Sequence, residues 1–424
     1  MTSVQAYGPS QHLAGNTVYW GTHNIGYVPT DDPMFVYPVP PASAPTQAGD
    51  YHLSIYSASL EVGAPSGIPT SDLEGNPRPF PTGTDPDMGA YEDVGFDDIW
   101  SADTPADNGY EPNPDNGPMW VSNAIRVSTT APANWFMMGH DFGNHVNPVY
   151  GQNNYVYVEI ANRGNDIVDA GSEVIVYVAK ASTGLSWDVD WVNNYSGTIL
   201  YGDEIGSVVI PNDLYPGDEA TVVVPWFDVP NPHDYGPYNE EHFCLLARIE
   251  ETPTAPFGMT FAETTDVYAN TRNNNNVAWR NLNIIAASFN HTVGHIIVRG
   301  LERAATPIRL AFKFDNADAG AQFLAKGSII VTADAALYAK WVAGGSKGSG
   351  IKAIGENRWQ IMSPTAYVEN ITLKNREAYW VTAQFAYTPN PETRDQRFHV
   401  VQLTGRGYTK VNGGVSYDIS QARK

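Results

Sequence analysis

Alternation of apolar and polar side chains with a period of two is the dominant pattern of this chain, and it is concentrated in two stretches. In the first, residues 155–160, 173–179, 221–226, 242–249 and 277–285 each read as a strand, because successive side chains of an extended backbone point to opposite faces. Turn-forming clusters at Asn162-Arg163-Gly164-Asn165 and Tyr215-Pro216-Gly217-Asp218 lie among them. Short strands with such turns predict an antiparallel, immunoglobulin-like β-sandwich over residues 118–288. In the second stretch, residues 296–298, 308–314, 329–331, 359–361, 378–385 and 399–403 predict a further β-sandwich over 289–424. Residues 344–350, rich in Gly and Ser, read as a flexible loop between two of its strands. The Ala-rich and Leu-containing segment 317–324 predicts a short helix.

Residues 1–92 show no helical period. Short extended stretches such as Asn16-Thr17-Val18-Tyr19-Trp20 alternate there with Pro-rich and Gly-rich connections. Residues 93–117 hold seven acids, no base and few apolar side chains, which predicts an acidic linker that buries too little to offset the entropy of ordering. The fold class expected from the whole pattern is all-β, with terminal β-helix-like rungs followed by two immunoglobulin-like sandwiches.

The rungs are suggested by the succession Asp32-Pro33-Met34-Phe35-Val36, Gly49-Asp50-Tyr51-His52-Leu53, Asp72-Leu73-Glu74-Gly75-Asn76-Pro77-Arg78 and Asp87-Met88-Gly89-Ala90-Tyr91-Glu92. That succession resembles the C-terminal cap of the right-handed parallel β-helices of secreted bacterial proteins, of the choice-of-anchor Q type. The resemblance implies a cap over residues 1–92 without the earlier rungs along which such folds hold polysaccharide. Further on, the residues from His145-Val146-Asn147-Pro148 to Asn162-Arg163-Gly164, then Ala181-Ser182-Thr183-Gly184-Leu185-Ser186-Trp187, and the run Asn273 to Asn276 before Val277-Ala278-Trp279 resemble a CARDB-like immunoglobulin-like module of large secreted bacterial proteins. Such modules act as spacers or binding units, so the resemblance implies no catalytic residue set.

A net charge of -22 excludes nucleic acid and anionic lipid as partners, since both require a basic surface. The charge is uneven, with seventeen basic and ten acidic side chains in residues 289–424 behind an acidic body. That asymmetry suggests docking of the C-terminal piece within the chain or between neighbours. One cysteine, Cys244, excludes an internal disulfide framework and sits in an apolar run where a buried thiol is expected. No run reaches the ~18 apolar residues needed to span a bilayer. Residues 1–7 lack the features of a signal peptide, so an export signal is expected upstream of this chain, as in a processed or recombinant C-terminal portion of an extracellular or cell-surface protein.

Candidate chemistry is sparse. His140-Asp141-Phe142-Gly143-Asn144-His145 is the densest cluster of potential metal ligands, but its histidines stand five apart in a loop, where helical zinc sites want four. Calcium fits better, because turns dense in Asp and Asn can supply the six to eight oxygens it needs. The expected ligands are Asp85, Asp87, Asp97, Asp98, Asp103, Asp107, Asp115 and Asn116. Asp188 and Asp190 lie between Trp187 and Trp191, a setting that makes either a sugar-stacking platform or the rim of a sandwich core. No nucleophile elbow, dinucleotide fingerprint or phosphate loop is present. The expected function is therefore that of a non-catalytic extracellular structural or adhesive protein whose partner is a cell-surface polysaccharide or further copies of itself. Two alternatives stand beside it: the carbohydrate-binding portion of a polysaccharide-degrading enzyme, and a subunit of a self-assembling filament or surface layer.

Overall fold

Strand formation follows the alternation closely. In residues 308–314, Ile308, Leu310, Phe312 and Phe314 are buried while the residues between them are partly open; in 154–160, Val156, Val158 and Ile160 are buried to 1% or less. The structure, a computed structural model, describes residues 12–13, 16–17, 33–37, 50–53, 57–80, 82–93, 98–115, 117–140, 143–164, 167–236, 240–252, 255–256, 262–285, 293–301, 304–387 and 396–419. They fall into two compact units. The first comprises residues 1–98 with 162–168 and 215–217, the second all others.

In the first unit, β1 (His12–Leu13) pairs with β2 (Asn16–Thr17) and β3 (Phe35–Tyr37) with β4 (Asp50–Leu53), both antiparallel. Parallel rungs of a β-helix cap are not shown by its described residues. Residues 57–80 and 82–93 are largely turns held by carboxylates: Asp72 accepts from the backbone N–H groups of Glu74, Asn76 and Glu92, and Asp87 from those of Glu61 and Asp93. Arg78 closes this knot, with Nε 3.1 Å from Glu92 Oε1 and Nη2 donating to the Asp87 and Gly89 carbonyls.

The second unit begins with β5 (Ile99–Trp100), β6 (Ile125–Ser128), β7 (Phe136–Met138), β8 (Asn154–Asn162), β9 (Glu173–Lys180), β10 (Asn194–Ser196), β11 (Ile199–Val209), β12 (Glu219–Trp226), β13 (Glu240–Thr252), β14 (Ala255–Pro256), α1 (Val267–Asn273) and β15 (Val277–Ile285). One sheet has the order β5-β8-β12-β7, with β6 also on β8; the other runs β10-β11-β9-β13-β14, with β15 on β13. These are the two layers of the expected sandwich. The acidic stretch expected as a linker is built into it from residue 99 onward. Ile99 is fully buried in β5, the Asn113 N–H donates to the Arg272 carbonyl at 2.6 Å, and Asp107 accepts from the Asp103 and Gly109 N–H groups. Carboxylates there satisfy the backbone that a poorly apolar segment would otherwise leave to water.

The second sandwich follows with β16 (Val293–Arg299), β17 (Thr306–Phe314), α2 (Ala317–Lys326), β18 (Gly327–Ala333), α3 (Ala335–Ala343), β19 (Lys347–Ser349), β20 (Ile351–Gly355), β21 (Arg358–Ile361), β22 (Thr365–Leu373), β23 (Ala378–Tyr387), β24 (Gln396–Thr404) and β25 (Lys410–Ile419). Its sheets have the orders β16-β23-β18-β21-β20 and β19-β22-β17-β24-β25. Helix α2 starts where Asn316 caps the Ala319 N–H, and α3 where Asp334 caps the Ala336 N–H.

The two sandwiches are joined along a largely apolar seam. Trp120, Trp191 and Trp279 of the first share one apolar cluster with Ile296, Val298, Val400, Val415 and Tyr417 of the second. Trp120 donates to Ser416 Oγ at 2.7 Å, Thr183 Oγ1 to Gln402 Oε1 at 2.6 Å, and Asn281 Nδ2 to the Gly414 carbonyl at 3.2 Å. One glycine is required by these approaches, since a Cβ on Gly414 would lie 2.4 Å from the Trp120 ring; within the second sandwich, a Cβ on Gly294 would lie 1.8 Å from the Tyr417 ring. Arg299 pairs with Asp190 and Lys410 with Asp266, so basic groups of the C-terminal sandwich meet acidic groups of the first.

Lys180 is buried beside the seam. Its Nζ lies 3.1 Å from Glu241 Oε2, donates to the His242 carbonyl at 2.8 Å, and stands within 6 Å of the ring centroids of Tyr235, Phe243 and Trp380. His295, from the second sandwich, approaches the other Glu241 oxygen at 3.4 Å. Burial lowers the Lys180 pKa against the opposing pull of Glu241. For Glu241, burial works upward but is outweighed by the His295 ring and Lys180, leaving the carboxyl below its ordinary range. Removing one partner strands a buried charge, whereas removing both does not. Lys180→Met is therefore expected to cost roughly 3–5 kcal/mol in urea unfolding, and Lys180→Met with Glu241→Met to recover most of that. A double-variant cost equal to the sum of the costs of Lys180→Met and Glu241→Met alone would show that the pair is not coupled.

Candidate functional site

The outer face of the β5-β8-β12-β7 sheet is open at its two ends, while Tyr157, Thr221 and Val223 in its middle are buried. Alternation puts Tyr155, Tyr157 and Glu159 of β8 on this face. Register then places Arg126 and Val223 beside Tyr157, and Thr221 beside Glu159 and Met137. The Arg126 guanidinium lies 3.6 Å from the Tyr157 ring centroid, and the Tyr157 hydroxyl donates to the Thr130 carbonyl. Tyr155, Tyr157 and Val223 form a small apolar cluster with Met137 packed on it.

At the Glu159 end this face opens into a pocket of about 360 Å³, lined by Trp100, Thr104, Asp107, Asn123, Arg126, His140, His145, Glu159 and Arg280 among others. His140 sits between two carboxylates, 3.6 Å from Glu159 Oε2 and 3.7 Å from Glu219 Oε2. His145 Nδ1 accepts from the Val127 N–H at 3.1 Å. Burial first, then the nearby Arg280 and Arg126, hold the His145 pKa down to about 3. Its acceptor role agrees with a neutral ring. Arg280 donates to the Ser122 and Ile125 carbonyls, where residues 121–128 pass from one sheet to the other. Gly143 lies directly on Arg126, since a Cβ there would come within 2.9 Å of the Arg126 Nη1.

At the opposite end of the same face the surface is aromatic. Trp135 is 48% exposed and lies 6.1 Å from Tyr155 at an interplanar angle of 31°; Phe227, 55% exposed, meets the other side of Tyr155 edge-on. Strand β7 runs alongside, from next to Trp135 at one end to near His140 at the other. Trp135 and Phe227 were not legible as site residues, because each stands outside the alternating runs.

The residues expected to bind sugar are placed differently. Trp191 is fully buried against Trp279, Asp190 accepts from the Ser186 N–H and pairs with Arg299, and Trp187 is held between the Tyr177 ring and the Arg248 guanidinium. Asp188 is exposed. These four border the seam and form no open platform. Of the expected calcium ligands, Asp97 and Asn116 lie outside the described residues, as do Asp141 and Phe142 of the histidine loop. Asp85 is half-buried, Asp87 caps N–H groups, and Asp98 pairs with Arg163 at 3.1 Å. Asp115 accepts from Thr104 Oγ1, and Asp107 caps the turn containing Asp103. Burial drives the Asp103 carboxyl well above its ordinary range, helped by the charge of Asp107. Among the described residues no three Asp, Glu, His or Cys side chains gather as a metal cage. Cys244 is buried, its thiol pushed up to about 12 by desolvation, as suits an inert core residue.

No family model matches the chain, and no curated protein sequence does either. Solved structures do. The CARDB domain of a Pyrococcus furiosus protein, solved in complex with di-metal ions, is 14% identical, covering 38% of this chain and 94% of that one with a TM-score of 0.19. A tip adhesin from Pseudomonas aeruginosa is 11% identical, covering 69% and 96%, with a TM-score of 0.18. Red sea bream transglutaminase is 10% identical over 69% of this chain but only 32% of its own length, with a TM-score of 0.19.

The histidines make stability depend on pH. The folded pKa values of His145 and His242 are both depressed, by burial foremost, so the unfolded chain binds protons that the folded chain refuses below about pH 6.5. Their contribution is full above that pH and is lost as pH falls toward the folded values. Asp103, with a raised folded pKa, acts in the opposite sense, so the comparison has to be differential. Between pH 7 and 5, His145→Gln should lose less stability than the parent, by up to about 1.4 kcal/mol per pH unit for one proton. Parallel stability curves for parent and variant would contradict a neutral, buried His145.

Proposed function

We propose that the chain is a non-catalytic extracellular protein that acts structurally and adhesively through its β-sandwich modules. The observation that carries this reading is the seam. Two sandwiches that share an apolar cluster built on three tryptophans, with Lys180 of the first against Trp380 of the second, are packed on each other, so a load or a ligand on one bears on the other. That construction suits a strut that presents a surface at a fixed attitude. The strongly acidic composition suits a partner that is not polyanionic. Among the described residues no helix is long and apolar enough to cross a membrane.

Two assays on the intact chain test the reading together. Saturable binding of labelled protein to intact bacterial or animal cell surfaces is expected, together with no turnover of pectin, alginate or neutral polysaccharides. Turnover that disappears when one carboxylate, such as Glu159, is changed to its amide would replace the adhesive reading with an enzymatic one.

A further inference from the structure

We infer that the strip between β7 and β8 is a binding site for a short neutral hexopyranose chain, with the polar pocket taking one sugar residue and Trp135 taking another. The inference rests on the adhesive reading and names the partner of that surface.

A pyranose ring has two kinds of surface, and the strip offers a match to each. Its axial C–H groups form an apolar patch that packs on an aromatic face, and its hydroxyls, often paired on adjacent carbons, are met by planar polar side chains that bond two at once. Trp135 supplies the aromatic face: it is half exposed, although Tyr155 backs it at 6.1 Å and a small tilt, so its orientation is fixed before any ligand arrives. The pocket supplies the planar groups, with Arg126, Glu159, His140 and Asn123 around a volume of about 360 Å³, enough for one sugar residue with water. The two ends are joined by one strand. Tyr155 and Glu159 are four residues apart on β8, which corresponds to about 13 Å, the reach of an oligosaccharide rather than a single sugar.

Charge selects the neutral class. Arg126 and Arg280 in the pocket are matched by Glu159 and Asp107, and the chain as a whole carries -22. A uronate chain would meet that field without a surplus of positive charge to receive its carboxylates. A neutral glycan is indifferent to it.

The probes are tetrasaccharides of β-linked glucose, β-linked mannose and α-linked glucose, with tetragalacturonate as the charged comparison, titrated calorimetrically into the intact chain at millimolar concentration. At least one neutral tetrasaccharide is expected to bind, with an affinity that changes little between low and high salt. Trp135→Ala should weaken it by about tenfold or more, and Glu159→Gln should weaken it as well. Trp135 is half exposed, so an unchanged Tm in that variant separates loss of binding from loss of fold. Absence of binding by every neutral probe, binding of tetragalacturonate alone, or binding indifferent to Trp135→Ala would each overturn the site. If Trp135→Ala binds cell surfaces as the parent does, the adhesive reading stands while this assignment of its partner falls.

Discussion

A lysine ammonium cut off from water sets the terms for the second unit. Lys180 is 2% exposed, and a charge in that position is tolerable only if its partners are fixed in place. Those partners come from both sandwiches: Glu241, the His242 carbonyl and the Phe243 ring from the first, Trp380 and the His295 that steadies Glu241 from the second. Separating the sandwiches would expose Trp120, Trp279 and Tyr417 and strip the Lys180-Glu241 pair of Trp380 and His295. The apolar cluster supplies the attraction; the buried polar contacts of Trp120, Thr183 and Asn281 fix one register, because each reaches a partner on the other sandwich. Gly414 is the steric counterpart, since a side chain there would strike the Trp120 ring.

The surplus of acids has a structural use that composition alone leaves open. Asp72, Asp87, Asp107 and Asp115 accept from backbone N–H groups or a hydroxyl, and Arg78 or Arg163 offset Glu92 and Asp98. In loops that cannot form a ladder, a carboxylate takes the place of the missing backbone acceptor. In this way residues 99–115 join the sandwich instead of linking two bodies, and Asp87 and Asp107, two of the expected calcium ligands, serve as turn caps.

Much of the sandwich architecture was legible because alternation reports it directly. The strands at 155–160, 173–179, 221–226 and 308–314 lie where their patterns place them, and the helix at 317–324 is present, lengthened to Lys326. Strands β22 and β25 and helix α3 were not read. In β25 two core positions are Gly413 and Gly414, whose burial comes from Trp120 and Thr183 far away in sequence; in α3, Ala335 to Ala343 follows a strand without a break in hydrophobicity, and only the Asp334 cap marks its start. The candidate site was harder still. The Trp187 to Trp191 cluster has the composition of a sugar platform, yet Arg248 and Arg299 cover it, contacts that no local pattern announces. Trp135 and Glu159 meet on one face only through the pairing of β7, β12 and β8.

The adhesive reading presupposes that the two sandwiches behave as one body. Native-state hydrogen exchange on the intact chain measures this directly, because amides that open together share one free energy. The account predicts that the slowest amides of β9 and β13 in the first sandwich and of β17 and β24 in the second exchange through a common opening, with the same free energy and the same response to denaturant. Exchange of one sandwich at markedly lower free energy, while the other stays protected, would contradict it.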